Sequence, residues 1–340
     1  MVDFDLRRRE GRHDECGPEV DRVGATVSPG PRPGVAAPGV RIPIERLRPE
    51  AVFQTGGHPD WLAPVETDAS VWVSNLSLDN VSCFDAKTDM VATTLDMGAG
   101  TEPCSGLAVG FGSLWVPCCG DKSLARVDLE TNEITATIPT TIAFREGSVA
   151  TGAGSVWLMT NNKGTLSRFD PVTNAVVAKI TVATGSYGLT FSEGAVWVTS
   201  TTHGTVTRVD PDTNLVTATI PVRRSPRFIA AGEGAVWVLN QGDGSVSRID
   251  PRTNEVVATI DVGVPGPGGD IAVGEGSVWV ASFEYPLSRI DPSTNQVVQQ
   301  FYGPGGDAVR VGLGSVWLSN LREGNVWRLD PRRVEATSHE

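Results

Sequence analysis

Residues 235–260 read AVWVLNQGDGSVSRIDPRTNEVVATI. Three short runs rich in Val, Ile, Thr and Trp are separated by Gly-Asp-Gly and by Asp-Pro-Arg-Thr-Asn. β-Branched and aromatic residues suit a pleated sheet, while Gly, Pro, Asp and Asn supply the turns between strands. Upstream, RFIAAG (227–232) and a tight turn at Glu233-Gly234 add an inner strand, which makes a four-stranded unit. The unit recurs along the chain. Trp72, Trp115, Trp157, Trp197, Trp237, Trp279 and Trp317 sit in equivalent apolar runs at spacings of 43, 42, 40, 40, 42 and 38 residues. That length fits one blade of a propeller, so the sequence predicts an all-β, seven-bladed β-propeller with four-stranded blades.

The repeated residues read as scaffold. Asp-Pro-x-Thr-Asn recurs at Asp170, Asp210, Asp250 and Asp291. Pro presets the φ of a turn, and Asp and Asn side chains bond nearby amides, so the pentad is a hairpin device. An arginine stands two residues before six such aspartates, Arg126, Arg168, Arg208, Arg248, Arg289 and Arg328 before Asp128, Asp170, Asp210, Asp250, Asp291 and Asp330. This spacing puts both residues on one strand face, where they can pair within a blade or with its neighbour. The tryptophans read as packing between blades.

An open ring would leave two sheet edges able to pair with other molecules. Val40–Ile44 has the outer-strand pattern and is expected to give blade seven its fourth strand, with Val334–Thr337 as the competing candidate. Residues 1–38 are expected to be a flexible Pro/Gly-rich tail and residues 39–335 the propeller.

The pattern VWVxNxxxGxVSRIDPxTNxVVATI, seen in 235–260 and with small changes in 277–298, resembles the YVTN-type β-propeller repeat family over 60–331. That resemblance implies the fold and a binding role. More distantly the chain is similar to streptogramin (virginiamycin B) lyases, propellers that use histidine, glutamate and Mg²⁺ to open a macrocyclic lactone by elimination. Of the four histidines here, His13 and His339 lie in the tails.

A formal net charge of −12 argues against nucleic acid and anionic lipid, which need clustered Lys and Arg. No apolar run is long enough for a membrane span, and the first 39 residues lack the apolar core of a signal peptide. A soluble, cytoplasmic monomer is expected from the sequence as written, secreted if translation starts upstream. Cys16, Cys83, Cys104, Cys118 and Cys119 are odd in number and lack paired spacing, so ordinary thiols are expected, with a vicinal Cys118–Cys119 bridge or soft-metal site as the alternative.

If the consensus is scaffold, function lies where blades depart from it. The loops leading into the inner strands and those joining second to third strands share one face around the axial channel. They carry His58, Asp60, Glu102, Ser105, Arg145, Glu146, Tyr187, Arg224, Arg227, Asp270 and Asp307, and in the second set Cys118, Asn161, Lys163, His203, Asn240, Gln241, Glu284, Tyr285, Arg322 and Glu323. The expected function is binding of a small molecule or protein at this polar axial mouth, with Asp60, Glu102, Arg145, Asn161, Asn240, Glu284 and Tyr285 as contacts. The alternative is a metal-assisted lyase or hydrolase in the same pocket. Glu102, Glu146, Asp270 and Asp307 would then hold a divalent cation such as Mg²⁺, His58 or His203 and Glu146 would move protons, and Tyr187 and Arg227 would stabilise a developing anion.

Overall fold

A computed structural model describes residues 32–76 and 78–337. It contains seven sheets arranged as the repeat predicts. Blade one, for example, comprises His58–Val65, Ser70–Leu76, Asn80–Asp85 and Met90–Asp96 in that order from the inside. Each second strand is buried along almost its whole length, as at Ala235–Asn240, where all six residues are buried. The fourth strand alternates with the pleat, its outward residues exposed, as in Glu255–Asp261.

All seven repeat tryptophans are fully buried. Six donate their indole N–H to a carbonyl five residues earlier, for example Trp237 to Gly232 at 3.1 Å and Trp157 to Gly152 at 3.0 Å. The third-strand arginine lies over the ring of its own blade's tryptophan, with 5.0 Å from the Arg248 guanidinium to the Trp237 centroid. Its other end crosses to the next blade. Arg126 donates to the carbonyl of Pro171 at 2.6 Å, and Arg248 to that of Pro292 at 2.7 Å and to Asn295 at 2.9 Å. Arg126, Arg168 and Arg248 therefore grip the neighbouring Asp-Pro turn through its Pro carbonyl and Asn, whereas Arg289 bonds Gln299 and Ser277 of its own blade. The turn aspartate instead caps its own hairpin: Asp170 accepts from the amides of Val172 at 2.7 Å and Thr173 at 3.1 Å. Arg328 repeats the grip across the seam, donating to Ala86 at 2.7 Å and Asp89 at 2.7 Å, and so joins blade seven to blade one.

An N-terminal strand closes the ring, but not the expected one. Ala51–Gln54 pairs antiparallel with Asn325–Leu329 and completes blade seven. Arg41–Pro43, inside the Val40–Ile44 segment, runs parallel to Gln296–Tyr302 as a fifth strand on blade six. The segment has the right apolar pattern, but Ile44–Arg46 turns as a short 3-10 helix, and the chain reaches blade seven only afterwards. The competing segment forms no strand: Pro331–Ala336 is a helix capped by Asp330, which accepts from Arg332 N–H at 2.8 Å. Of the expected tail, residues 1–31 lie outside the described residues, as do Cys16, His13 and His339. Within residues 32–38, the Gly34 amide donates to Gly263 at 2.8 Å and the Val35 amide to Gln300 at 2.7 Å.

The cysteine reading needs a second correction. Cys104 and Cys119 form a disulfide across a Cα–Cα distance of 5.3 Å, while Cys83 and Cys118 are buried thiols. The bond ties the loop leading into the inner strand of blade two to the loop between its second and third strands. Two residues 15 apart in sequence meet because both loops return to the same face. No helix among the described residues is long and apolar enough to cross a membrane.

Candidate functional site

Each blade contributes one residue from within or just before its innermost strand: Asp60, Ser105, Glu146, Tyr187, Arg227, Asp270 and Asp307. Trp61 of blade one and Phe228 of blade five approach to 6.0 Å between centroids. Those blades are not neighbours, so the contact spans the channel. Phe228 meets Tyr187 edge-on at 6.2 Å, and Tyr187 packs on Phe144 at 5.0 Å. An aromatic layer thus crosses the axis, with charged groups set around it.

Glu146 anchors one arm. Its Oε1 accepts from the Tyr187 hydroxyl at 2.6 Å and from Arg227 Nη2 at 2.6 Å. The Arg227 guanidinium lies 4.2 Å from the Tyr187 ring centroid and reaches Gln241 Oε1 at 3.4 Å. Burial alone would lower the Arg227 pKa, but the Glu146 charge, the neighbouring Tyr187 and the hydrogen bonds to both together outweigh it and raise the pKa, so the guanidinium stays protonated. Burial and then the Glu146 charge push the Tyr187 hydroxyl upward, so it stays a donor. The Arg227 Nε is buried without a hydrogen-bond partner.

The second arm pairs Asp270 with Arg310. Asp270 is 2 % exposed and accepts from the amides of Ile271 at 2.8 Å and Val309 at 3.1 Å and from the Arg310 guanidinium. Burial raises its pKa to about 6, against the pull of Arg310. Arg310 also lies 3.9 Å from the Trp61 ring centroid, where desolvation strengthens a cation–π contact.

Between the arms sit Asp60 and Asp307. Asp60 accepts from Ser105 at 2.6 Å, and its carboxyl is close enough to Asp307 for a side-chain hydrogen bond. Like charge on two neighbouring buried carboxyls disfavours ionising both, so Asp60 raises the pKa of Asp307. Burial, followed by the charge of Glu146, lifts Asp60 to about 7. Burial, followed by the charges of Asp60, Glu146 and Asp270, lifts Asp307 to about 9. This cluster therefore sets two carboxyls with raised pKa values beside two carboxylates paired with arginines, an environment of the kind found at acid–base sites.

The disulfide underlies this site. Ser105, which follows Cys104, donates its amide to Arg145 at 3.1 Å, and Gly106 donates to Glu146 at 2.5 Å. Cys119 Sγ lies 3.7 Å from the Arg145 carbonyl. Gly147 lets the Glu146 loop pass this bridge: its φ is 56°, and a β-carbon there would stand 2.5 Å from Cys104 Cβ. The loops carrying Ser105 and Glu146 are thus fastened to one covalent crosslink.

The other sequence-selected residues lie elsewhere. His58 is exposed, with Nδ1 3.0 Å from the Leu321 carbonyl. His203 is exposed too, its Nδ1 3.2 Å from Ser200 Oγ and 3.1 Å from the Thr184 carbonyl. Both histidines tie loops together. Glu102 is exposed; its amide donates to Asp79 at 2.8 Å and its carbonyl accepts from Cys119 at 2.9 Å. Arg145 is exposed and contributes its carbonyl. Asn161 caps its own turn by accepting from the Lys163 amide at 2.6 Å. Asn240 is buried and donates to Ser245 at 3.1 Å and Ser247 at 3.0 Å. Glu284 and Tyr285 stand at the rim of blade six, where the Tyr285 hydroxyl accepts from Arg41 at 2.8 Å.

Among the described residues no group of three or more His, Cys, Asp or Glu is placed to hold a metal ion. Of the expected quartet, Glu102 is exposed, Glu146 is engaged by Arg227 and Tyr187, and Asp270 by Arg310. The residues present do not fit the divalent cation that the lyase resemblance implies.

Sequence reasoning missed Trp61, Phe228 and Arg310. A signal existed for two of them. Trp61 stands outside the seven-fold tryptophan register. Arg310 is the cross-strand partner of Trp317, a place where Ala63, Ala108, Ala150, Thr190, Ala230 and Ala272 face the other repeat tryptophans.

The model of the glutamine cyclotransferase family matches residues 104–267, slightly less than half the chain and a span holding Ser105, Glu146, Tyr187 and Arg227. No curated protein matches the sequence. Among solved structures the chain is similar to a streptogramin B lyase, at 17% identity and a TM-score of 0.69 over 82% of this chain and 96% of that one. It is also similar to virginiamycin B lyase from Staphylococcus aureus, at 14% identity and a TM-score of 0.67 over 82% of this chain and 97% of that one. A catalytically inactive histidine-to-alanine form of that lyase with quinupristin gives 14% identity and a TM-score of 0.68, with the same coverage. At these identities the likeness shows the propeller fold.

Proposed function

We propose that the propeller binds a small polar molecule in its axial mouth and transfers protons on it, with Asp60 and Asp307 as the acid–base pair. The observation that carries this reading is the pair of buried carboxyls of Asp60 and Asp307, which burial and neighbouring carboxylate charge lift to about 7 and about 9, beside the Glu146–Tyr187–Arg227 arm. A general acid works best with a pKa near the operating pH. The aromatic layer of Trp61, Phe228 and Tyr187 supplies an apolar face for the non-reacting part of the ligand.

The glutamine cyclotransferase match favours ring closure of an N-terminal glutaminyl group as the reaction. The α-amine nitrogen forms a bond to the side-chain amide carbon, the C–NH₂ bond breaks and ammonia leaves. One carboxylate takes the proton from the attacking amine, and its protonated partner gives one to the departing nitrogen. Tyr187 and Arg227 are donors for the oxygen that gains charge.

The test is ammonia release from a glutaminyl dipeptide, followed together with its binding. Asp307→Asn and Asp60→Asn are expected to lower kcat by about 10²-fold or more while the dipeptide still binds. Binding without ammonia release by the wild type would overturn the catalytic reading and leave a binding propeller. Turnover unchanged in both variants would remove the acid pair from the mechanism.

A further inference from the structure

On the same face, at the rim of blades six and seven, Arg32, Arg41 and Arg322 line a cavity of about 350 Å³ together with Glu284 and Glu323. Burial lowers the Arg32 pKa, opposed by the nearby charge of Glu284. Among the described residues none of these arginines closes an ion pair. They are held by other means. Arg32 donates to the carbonyls of Val264, at 3.4 Å, and Pro267. Arg41 stacks between the rings of Tyr285 and Tyr302, 5.6 Å and 5.5 Å from their centroids, and Arg322 lies 4.2 Å from that of Phe283. Arg41 uses one Nη on Tyr285, which leaves further guanidinium donors for a ligand. The guanidiniums are thus positioned without a carboxylate in direct contact, in a chain whose net charge is −12.

A second cavity of about 380 Å³ adjoins the first through Pro304, Gly305 and Glu323. Its walls include Ile44, Leu47, Pro49 and Trp327, so it is apolar where the first is cationic. Both volumes fall in the range of small-molecule sites. In the first, three guanidiniums outnumber two carboxylates by one, which suits a single negative charge and disfavours a polyphosphate.

We propose that these joined cavities form a binding site, separate from the axial mouth, for a small monocarboxylic acid with an apolar tail. The carboxylate lies against Arg41 and Arg322, and the tail runs past Pro304 onto Leu47 and Trp327. The strand Arg41–Pro43 lends Arg41 to the first cavity and the turn that follows it lends Ile44 and Leu47 to the second, which gives that N-terminal segment a role beyond covering the edge of blade six.

Titration calorimetry with octanoate, acetate and octanol tests the site. Octanoate is expected to bind saturably, and acetate and octanol each at least tenfold more weakly, since each keeps only half of the recognition. Arg322→Met, on an exposed loop, and Arg41→Met are each expected to weaken octanoate about tenfold or more through loss of a charge-assisted hydrogen bond. Trp327→Ala should weaken octanoate and leave acetate unchanged. Asp307→Asn in the axial mouth should leave octanoate affinity unchanged. No saturable octanoate binding, equal affinity for acetate, or affinity unmoved by Arg322→Met would overturn the proposal, as would loss of binding in Asp307→Asn.

Discussion

Replacing Asp60 with asparagine should change how stability depends on pH, in a direction the buried acids dictate. Folding lifts Asp60 to about 7, Asp307 to about 9 and Asp270 to about 6 from an ordinary value of 3.8. The native protein then keeps protons that the unfolded chain has released. Stability from this source is complete below the ordinary carboxylate value of 3.8 and is lost as pH rises through about 6 to about 9. Each proton held only by the native state gives a slope of about 1.4 kcal/mol per pH unit. Counting only the one proton shared by the pair, stability should fall by about 3 kcal/mol between pH 5 and pH 7. The amide that replaces the carboxyl in Asp60→Asn can still accept from Ser105 and can donate to Asp307, so the geometry survives while the like charge disappears. The variant should show a flatter profile and exceed the wild type by about 2 kcal/mol at pH 8. The turn aspartates Asp128, Asp170 and Asp210 do not interfere. Bonds from backbone amides lower their pKa values, so their contribution is lost only below the carboxylate range. Urea unfolding at half-unit pH steps, with a check that the m-value is constant, measures the profile. Wild-type stability that is flat or rising from pH 5 to pH 8, or a variant curve parallel to the wild type, would refute the shared-proton argument.

Three further outcomes follow from the same contacts. Arg310→Ala removes the cation from buried Asp270 and should cost about 3–5 kcal/mol, with Asp270→Asn in the same chain restoring much of it; equal losses in the single and double variants would contradict the pairing. Arg168→Ala breaks the grip on the next blade's Pro211 carbonyl and on Asn214 at 3.1 Å and should cost about 1–3 kcal/mol; Asn214→Ala made on top should add little, and full additivity would argue against a shared contact. Reduction of the Cys104–Cys119 bond opens a loop of sequence separation 15 and should cost about 3 kcal/mol. It should also raise hydrogen exchange at Ser105 and Gly106 before other strand-leading loops, and uniform exchange around the ring would show that the bond does not fasten the mouth.

The ring was legible because each blade repeats the same local instruction. Trp237 and its six counterparts, the Asp-Pro turns and the third-strand arginines each mark one strand or turn by local chemistry, and seven copies fix the count. Closure was less legible. Arg41–Pro43 has the outer-strand pattern, yet its partner is Gln296–Tyr302, and nothing local distinguishes parallel addition to blade six from completion of blade seven. Ala51–Gln54 is too short to signal its role. The disulfide was hidden for a related reason, since Cys104 and Cys119 meet only when two loops fold to the same face.

Departure from consensus selected Asp60, Glu146, Tyr187, Arg227, Asp270 and Asp307, which the fold brings near one another. It also selected His58, His203, Asn161 and Asn240, which are irregular for reasons of loop closure. Which irregular residues converge is set by distance across the ring, as between Trp61 and Phe228, and a single blade's sequence carries no record of it.

The central claim is that the axial mouth holds a carboxylic acid at neutral pH. Carbon-detected NMR of chains labelled at aspartate carboxyl carbons, titrated from about pH 4 to about pH 9, tests it most directly. The account predicts two coupled signals, both lost in the double variant Asp60→Asn with Asp307→Asn, with a proton still bound at neutral pH. Complete ionisation of every aspartate by about pH 6 would contradict it.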